Sequence, residues 1–231
     1  MKTNVMIPFD GCAEDSLRYT LRSISENFDY DNVYLVSNKI PDWIRNVIIV
    51  PEEDTHKHNK DANLIDKVLA AIYFGMSGNF MFWSDDQIIL NKIDPVVTFN
   101  NRNPFEIKPQ TKWQRRLVRT AQFIYERFGF KLDRNFDTHT PQLMNSELFK
   151  KLSMVNYKDD IGYTICTLYF GMNYPLKMVS QEQIKVTIEN MNQRKLGFEG
   201  KYFLGYNEKM FHAFVRKMLE KRFNKKSVFE K

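Results

Sequence analysis

The chain has 231 residues, of which 43% are hydrophobic and 27% are charged, values that are ordinary for a globular protein in water. This length can bury a full core, so we expect one compact domain with two halves, residues 1–95 and residues 96–231. The formal net charge of +6 favours an acidic partner. Nucleotide sugars, nucleic acids and anionic membrane surfaces all meet that requirement, and charge alone does not choose among them.

The composition also argues against several classes of protein. Cys12 and Cys166 are the only cysteines, and they form neither a metal-binding nor a disulfide pattern. The apolar start of the chain is too short for a signal peptide, and no apolar run approaches the roughly 20 residues that span a bilayer. We therefore expect a soluble, cytoplasmic protein with no membrane span.

The first hundred residues alternate between strand and helix patterns. Apolar runs predict strands at residues 4–9, 32–36, 47–50 and 80–83. Two sets of apolar residues at helical spacing predict helices between them; these are Leu17, Leu21, Ile24 and Phe28, and Leu64, Ile65, Val68, Leu69 and Ile72. The alternation predicts the α/β class, as a single Rossmann-like mixed sheet with parallel strands and helices on both faces.

Beyond residue 95 the alternation ends. Apolar positions from Trp113 to Phe128 predict a long helix, and a short helix is expected near residues 146–152, capped by Asn145 or Ser146. A last helix is predicted around residues 211–219, with basic residues on its outer side and in the tail that follows.

The most informative motif is Ser84-Asp85-Asp86-Gln87, which directly follows the predicted fourth strand. In open α/β sheets, ligands bind beyond the carboxyl ends of the strands, and Asp10 and Asn38 follow two other strands. Carboxylate oxygens suit Mg²⁺ or Mn²⁺, which commonly bind a nucleotide diphosphate as well. A solvated loop is the alternative for an arbitrary pair of aspartates, but this position favours a metal and diphosphate site.

Three polar residues near the start of the second helix, Lys60, Asn63 and Lys67, share one helix face. A helix N-terminus binds anions through its free backbone N–H groups and its dipole. The face therefore predicts a contact with the base or phosphates of a nucleotide. An ordinary solvated helix face is the alternative.

Two further sets of residues are candidates for chemistry. His139 lies in a polar stretch and is suited to bind a metal or an acceptor. Asp159 and Asp160 form a second carboxylate pair, and an inverting group transfer needs a base that takes the acceptor proton. The alternatives are a surface histidine and a helix-capping aspartate.

The long helix of the second half carries the basic residues Arg115, Arg116 and Arg119 beside Lys112 and Trp113. This combination of charges and an aromatic ring suits the phosphates of a nucleic acid. A solvated basic helix face is the alternative.

The first half resembles a nucleotide-sugar glycosyltransferase of the A-type fold. The resemblance rests on Asp10 after the first strand, the helix bearing residues 16–24, the second strand ending in Ser37-Asn38, and the Asp85-Asp86 pair. It covers residues 1–95 and reaches beyond them only through His139 and Asp160. The stretch at residues 17–24 and the later His139-Thr140-Pro141 also resemble, more faintly, the sugar-phosphate transferases of bacterial capsule synthesis.

The resemblance implies a role for each matching residue. A divalent Mn²⁺ or Mg²⁺ cofactor and a nucleotide-sugar donor would bind together at the acidic motif. This motif reads Ser-Asp-Asp here and not Asp-x-Asp, so the resemblance leaves open whether Asp85 or Asp86 binds the metal. The implied positions are Pro8, Phe9 and Asp10 at the nucleoside, Asn38 at the base or ribose, Lys60 or Lys67 at base or phosphate, Asp85 at the ribose or sugar, and Asp86 with His139 at the metal.

These observations together predict a metal-dependent transfer of a sugar from a nucleotide-sugar donor to an acceptor hydroxyl. Asp160 is the expected base if the reaction inverts the sugar carbon. A hydroxymethylated DNA base, flipped out of the duplex, and a glycan are the two expected acceptors. The alternatives are a sugar-phosphate transferase of polysaccharide synthesis and a non-catalytic nucleic-acid-binding protein.

Overall fold

The chain folds around a five-stranded sheet, and the computed structural model describes residues 2–190, 192 and 198–231. The strands are β1 Thr3–Pro8, β2 Tyr30–Val36, β3 Ile48–Val50, β4 Asn79–Phe82, β5 Ile88–Ile89, β6 Thr98–Phe99, β7 Gln142–Asn145, β8 Val179–Ser180, β9 Lys185–Ile188 and β10 Phe203–Tyr206. The helices are α1 Glu14–Asn27, α2 Lys60–Tyr73, α3 Lys112–Phe128, α4 Ser146–Lys150, α5 Ile165–Met172, α6 Gln181–Ile184, α7 Glu208–Met210 and α8 Arg216–Arg222.

The central sheet has the strand order β3-β2-β1-β4-β7. The first four strands run parallel, and β7 joins the edge antiparallel to β4 with Phe82 opposite Gln142. The predicted mixed, Rossmann-like sheet is therefore confirmed. The antiparallel edge strand was not predicted, because the sequence at residues 142–145 is too short to show a clear strand pattern.

Helices cover both faces of the sheet, as predicted. Side chains along β1 alternate between the two faces, so Met6 packs among residues of α2 while Val5 and Ile7 pack among those of α1. The two helices contribute the apolar residues that the helical spacing had indicated, including Leu17, Leu21 and Ile24 of α1 and Ile65, Val68 and Ile72 of α2. This sandwich fixes the carboxyl ends of β1 and β4 at one edge of the sheet.

Local sequence signals set the ends of α3. Thr111 and Gln114 form a capping box at its start, in which each side chain bonds the other's backbone N–H. Gly129 ends the helix at φ 70°, a left-handed conformation that favours glycine. The predicted helix from Trp113 to Phe128 is thereby confirmed.

The fold also contains short strands that the sequence did not indicate, and all of them except β5 lie in the second half. They form a three-stranded sheet in the order β5-β10-β9 and a two-stranded sheet of β6 and β8. The last helical segment packs on the three-stranded sheet. It consists of α7, a π-helical turn at Phe211–Val215 and α8. Its residues Val215 and Leu219 are buried in a cluster with Leu204 of β10. The predicted terminal helix is thus confirmed and is longer than expected.

Within the described ranges of the chain, no helix is both long and apolar enough to cross a bilayer.

Candidate functional site

Three neighbouring cavities lie beyond the carboxyl ends of β1 and β4. The first, named the α2 cavity, has a volume of about 320 Å³ and is lined by Phe9, Lys60 and Asp85 among others. The second, named the central cavity, measures about 730 Å³ and shares Lys60 and Asp85 with the first. The third, named the β9 cavity, measures about 560 Å³ and shares Tyr206 with the second.

The acidic motif sits where these cavities adjoin. Asp85 lines both the α2 cavity and the central cavity, and Asp86 lines the central cavity. Gln87 closes the turn after β4, because its side-chain oxygen accepts from the Ser84 backbone N–H at 3.0 Å. Thr20 of α1 donates to the Asp85 carbonyl at 2.8 Å, so contacts from two elements hold the motif in place.

The electrostatics of the motif favour a cation. Burial, and next the negative charges of Asp86 and Asp10, raise the pKa of Asp85 to about 7 from its usual 3.8. Two carboxylates that adjoin in this way repel each other when both are ionised. A divalent cation would relieve that repulsion and favour the charged form of Asp85.

The His139 side chain lies beside Asp86. Its Nε2 lies 3.4 Å from Asp86 Oδ2, and its Nδ1 lies 3.3 Å from the Gln87 side-chain nitrogen. The backbone of His139 has φ 52°, an uncommon left-handed conformation for a residue with a side chain. Such conformations cluster at functional sites, where the surroundings hold them.

These donors fit a hard divalent cation that is shared with a substrate. Two ligands of an octahedral Mg²⁺ lie about 3 Å apart, which matches the Asp86–His139 separation. In the part of the chain that the structure describes, no three His, Cys, Asp or Glu side chains are grouped to hold a metal by themselves. Mg²⁺ is commonly held by one or two carboxylates, with substrate phosphates and water as the other ligands.

The predicted nucleotide residues Pro8, Phe9, Asp10, Lys60, Asn63, Lys67 and Asp85 all line the α2 cavity. Two of them also bind within the protein. Lys67 donates to the Phe9 carbonyl at 2.8 Å and to Asp54 at 3.1 Å, and Asn63 bonds both backbone groups of His56. Lys60, by contrast, is exposed. The two buried residues shape the cavity, and the exposed cations that line it include Lys57 and Lys60.

Asn38 lies apart from this group. Its side chain is exposed and donates to Glu53 at 3.0 Å. It lines none of the three cavities. The predicted contact of Asn38 with a base or ribose has no support in this arrangement.

Asp159 and Asp160 lie on the loop before α5. Asp159 accepts both guanidinium N–H groups of Arg119, at 2.7 and 2.6 Å, and the hydrogen bond from Arg119 is the main reason that its pKa is lowered. Asp160 is exposed and lines a separate cavity with Lys112 and Arg115. The structure therefore does not bring either aspartate together with Asp85 and Asp86, and the role of Asp160 as a base stays a prediction.

The three arginines of α3 differ in their surroundings. Arg116 is only 7% exposed, donates to Asp61 at 2.6 Å, and bonds the carbonyls of Ile161 and His58. The Arg119 guanidinium is paired with Asp159 and lies over the Tyr163 ring. The prediction that these arginines jointly contact nucleic acid is corrected for Arg116, because a buried side chain whose three guanidinium nitrogens all donate within the protein cannot reach a polymer. Arg115 lines an open cavity.

Sequence reasoning missed residues of the β9 cavity. Lys185 lines it, and burial lowers the pKa of Lys185 to about 8, while the negative charge of Asp86 acts in the opposite direction. Its ammonium donates to the Thr138 carbonyl at 3.0 Å. A Cβ at Gly205 would lie 2.7 Å from Lys185 Cε, so the glycine makes room for this side chain. A glycine inside an apolar strand signals such a close approach and was the available clue.

Comparisons with known proteins bear on the fold. No protein-family model and no curated protein matches the chain, whereas 209 chains of solved structures do. One is the crystal structure of the galactosyltransferase LgtC in complex with donor and acceptor sugar analogues. The two chains are 9% identical, and the match has a TM-score of 0.57 and covers 99% of this chain and 98% of the other. The likeness establishes the A-type glycosyltransferase fold that the sequence predicted.

Proposed function

We propose that this protein is a metal-dependent glycosyltransferase that moves a sugar from a nucleotide-sugar donor to an acceptor hydroxyl. The observation that carries the proposal is the position of the acidic pair. Asp85 lines both the α2 cavity and the central cavity, and Asp86 lines the central cavity and lies 3.4 Å from His139. This position supports adjacent places for a nucleoside and a diphosphate of the proposed donor, with the acidic pair beside both.

The donor would lie across the first two cavities. The described residues that line the α2 cavity all belong to the first half of the chain, from Pro8 to Asp85, and this cavity would take the nucleoside. Lys60, which lines both cavities, would contact a phosphate. Asp86, His139 and Asp85 would hold Mn²⁺ or Mg²⁺ against the diphosphate. The bound cation would supply a Lewis acid that stabilises charge on the departing group.

The transfer breaks the bond between the anomeric carbon and the diphosphate oxygen and forms a bond from that carbon to the acceptor oxygen. The nucleoside diphosphate leaves with the electron pair, and the acceptor hydroxyl gives up its proton to a base. Glu182 and Glu189 are carboxylates that line the β9 cavity, and they are better placed for this than Asp160, which lines a separate cavity. The LgtC structure, solved with donor and acceptor sugar analogues, supports the same two-substrate arrangement here.

A donor-cleavage screen tests the proposal. The purified protein is incubated with a panel of nucleotide sugars in the presence of Mn²⁺, Mg²⁺ or a chelator, and the release of nucleoside diphosphate is measured. We expect metal-dependent cleavage of one donor, which Asp86→Asn reduces by at least about a hundredfold, since removing one group that stabilises transition-state charge has effects of that order. The exposed Asp42 provides the matched control, Asp42→Asn. If no donor is cleaved and no nucleoside diphosphate binds, the proposal is wrong.

A sugar-phosphate transferase is the second candidate. The observation that favours it is the 55% exposed imidazole of His139 beside Asp86, because a histidine at that place can take a proton from a hydroxyl that attacks phosphorus. The mass of the product separates the two reactions. A product that gains only the sugar supports the glycosyltransferase, and one that gains a phosphodiester supports the alternative.

A further inference from the structure

We propose that residues 208–231, here named the basic segment, bind the backbone phosphates of a duplex nucleic acid. The basic segment comprises α7, the π-helical turn, α8 and the tail that follows them. The inference goes beyond the proposed function and does not depend on it, because it concerns a surface of the protein and the partner that binds there.

The net positive charge of the protein is concentrated in the basic segment. Of the 34 lysines and arginines and the 28 aspartates and glutamates in the chain, the segment contains eight and three, a net charge of +5. The other 207 residues contain 26 basic and 25 acidic side chains, so their charges nearly balance. A local excess of positive charge attracts polyanions.

Four exposed lysines of the basic segment form no ion pair with any acidic side chain that the structure describes. The glutamates nearest to them in sequence are engaged elsewhere, since Glu220 pairs with Arg216 at 3.1 Å and the buried Glu230 pairs with Arg22 at 2.7 Å. The four ammonium groups therefore remain able to bind phosphates. They belong to Lys209, Lys217, Lys221 and Lys225.

The basic segment borders the central cavity. Glu208, Phe211 and His212 line this cavity together with the acidic motif. Lys217 follows His212 by five residues, which is roughly 7 Å along a helix. Lys217 and Lys221 are one helical turn apart, so their side chains share a face of α8. A nucleic acid bound to that face would lie close to the central cavity.

The packing of the basic segment disfavours an anionic membrane as its partner. An amphipathic helix that binds a membrane buries its apolar face in the lipid. Here Met210, Val215 and Leu219 on the apolar face are buried against the three-stranded sheet. Among residues 208–231, all of which the structure describes, Val228 is the one large apolar side chain that is exposed. The exposed surface thus offers charge without groups that insert into lipid.

The aromatic residues of the basic segment indicate a duplex as the partner. Proteins that bind single strands without sequence preference stack the bases on accessible aromatic side chains. Phe211, Phe223 and Phe229 are buried and Phe214 is half-buried, so the segment presents no such stacking surface. The phosphates of a duplex require only lysine and arginine side chains.

Fluorescence anisotropy with a mixed-sequence DNA duplex of about 20 base pairs tests the inference over a series of salt concentrations. The logarithm of the affinity should fall linearly with the logarithm of the salt concentration, and Lys217→Gln combined with Lys221→Gln should reduce that slope by about two, one for each lost phosphate contact. The exposed Lys108 and Lys151 of other elements provide the matched control, Lys108→Gln combined with Lys151→Gln. Equal slopes in the two double variants, or no binding by the unaltered protein, overturn the inference.

Two further probes identify the partner. A single strand of the same length and vesicles that contain phosphatidylglycerol are titrated at equal phosphate concentration, and we expect both to bind more weakly than the duplex. Tighter binding to either probe overturns the inference. Donor cleavage does not enter these measurements, so their failure leaves the proposed function standing, and a protein that cleaves no donor can still show the expected binding.

Discussion

His139 Nε2 lies 3.4 Å from Asp86 Oδ2, although the two residues belong to opposite halves of the chain. The antiparallel edge of the sheet brings them together. Phe82 at the end of β4 is paired with Gln142 at the start of β7, so the residues that follow β4 and those that precede β7 leave the sheet at the same point. The contact between Asp86 and His139, on which the proposed metal site depends, follows from this pairing.

The first prediction concerns the metal. We expect His139→Ala to weaken Mn²⁺ binding by at least about tenfold in the presence of a nucleoside diphosphate, because loss of one metal-binding group has effects of that order. Titration calorimetry with Mn²⁺ and the diphosphate measures it. His58, whose side chain is exposed away from the acidic motif, gives the control His58→Ala. Equal metal affinity in the His139 variant and the unaltered protein would contradict the assignment.

The second prediction concerns Lys185 and its neighbour Gly205. A Cβ at position 205 would lie 2.7 Å from Lys185 Cε and 3.2 Å from its Nζ, so Gly205→Ala should displace the ammonium without loss of folding, since only the end of a flexible side chain has to move. We expect Gly205→Ala and Lys185→Met to lower kcat/KM for sugar transfer alike, by about tenfold or more. Steady-state kinetics with the nucleotide sugar found in the cleavage screen measures this.

Lys177 serves as the control for that prediction, because it is exposed and lies outside the three cavities. Lys177→Met should have the kinetics of the unaltered protein. An active Gly205→Ala variant beside an inactive Lys185→Met variant would show that the glycine does not position the lysine.

The third prediction separates a structural from a nucleic-acid role for α3. Burial, and next the neighbouring Asp137, raise the pKa of Asp61 to about 6 even though Arg116 hydrogen-bonds it. Breaking a buried ion pair leaves an uncompensated charge, so Arg116→Ala should lower the free energy of unfolding by about 3–5 kcal/mol. Arg115→Ala should change it by less than about 0.5 kcal/mol. Urea denaturation measures both.

DNA binding by the same two variants tests the nucleic-acid role of α3. If α3 bound DNA phosphates through both arginines, each alanine variant would bind DNA more weakly, and its binding would depend less on salt. We expect no such loss for Arg116→Ala under conditions in which the variant is folded. Equal losses in both variants would restore the original prediction.

The first half of the fold could be predicted because its signals are local. Strand β1 is buried on both faces and therefore shows a continuous apolar run. Helices α1 and α2 each bury one face, and the helical spacing of their apolar residues reports that burial directly. The order of these elements, together with Asp10 and the Asp85-Asp86 pair, then located the carboxyl edge of the sheet. Seven of the residues that line the α2 cavity, among them Asp10 and Asp85, are predicted nucleotide contacts, and that role stays a prediction.

The second half could not be predicted in the same way, because its site residues are brought in by non-local pairing. Lys185 reaches the β9 cavity through the parallel pairing of β9 and β10, and the segment that contains Lys185 has no acidic or glycine-rich motif. Asp159 and Arg116 carried charges that suggested chemistry, but the structure uses both in ion pairs that fasten the loop before α5 and the start of α2 to α3. Charge alone does not distinguish a ligand contact from an internal one.

The last prediction concerns the carboxyl-terminal tail and pH. Arg22 of α1 holds Glu230 with two hydrogen bonds of 2.7 and 2.8 Å, and it also donates to the Phe223 carbonyl. The two side chains are 12% and 3% exposed. Burial by itself would raise the pKa of Glu230, but the hydrogen bonds from Arg22 and Ser227 outweigh it and hold the pKa below the usual 4.5.

A carboxylate with a lowered pKa in the folded state stabilises the fold fully above its unfolded value and loses that contribution as the pH falls through its folded value. Glu230→Gln should therefore be less stable than the unaltered protein at pH 7, by about 3–5 kcal/mol for a broken buried pair, and the difference should shrink below pH 4.5. Urea denaturation at a series of pH values measures the difference, with Glu147→Gln as an exposed control. A difference that stayed constant from pH 7 to pH 3 would show that the ionised pair does not fasten the tail.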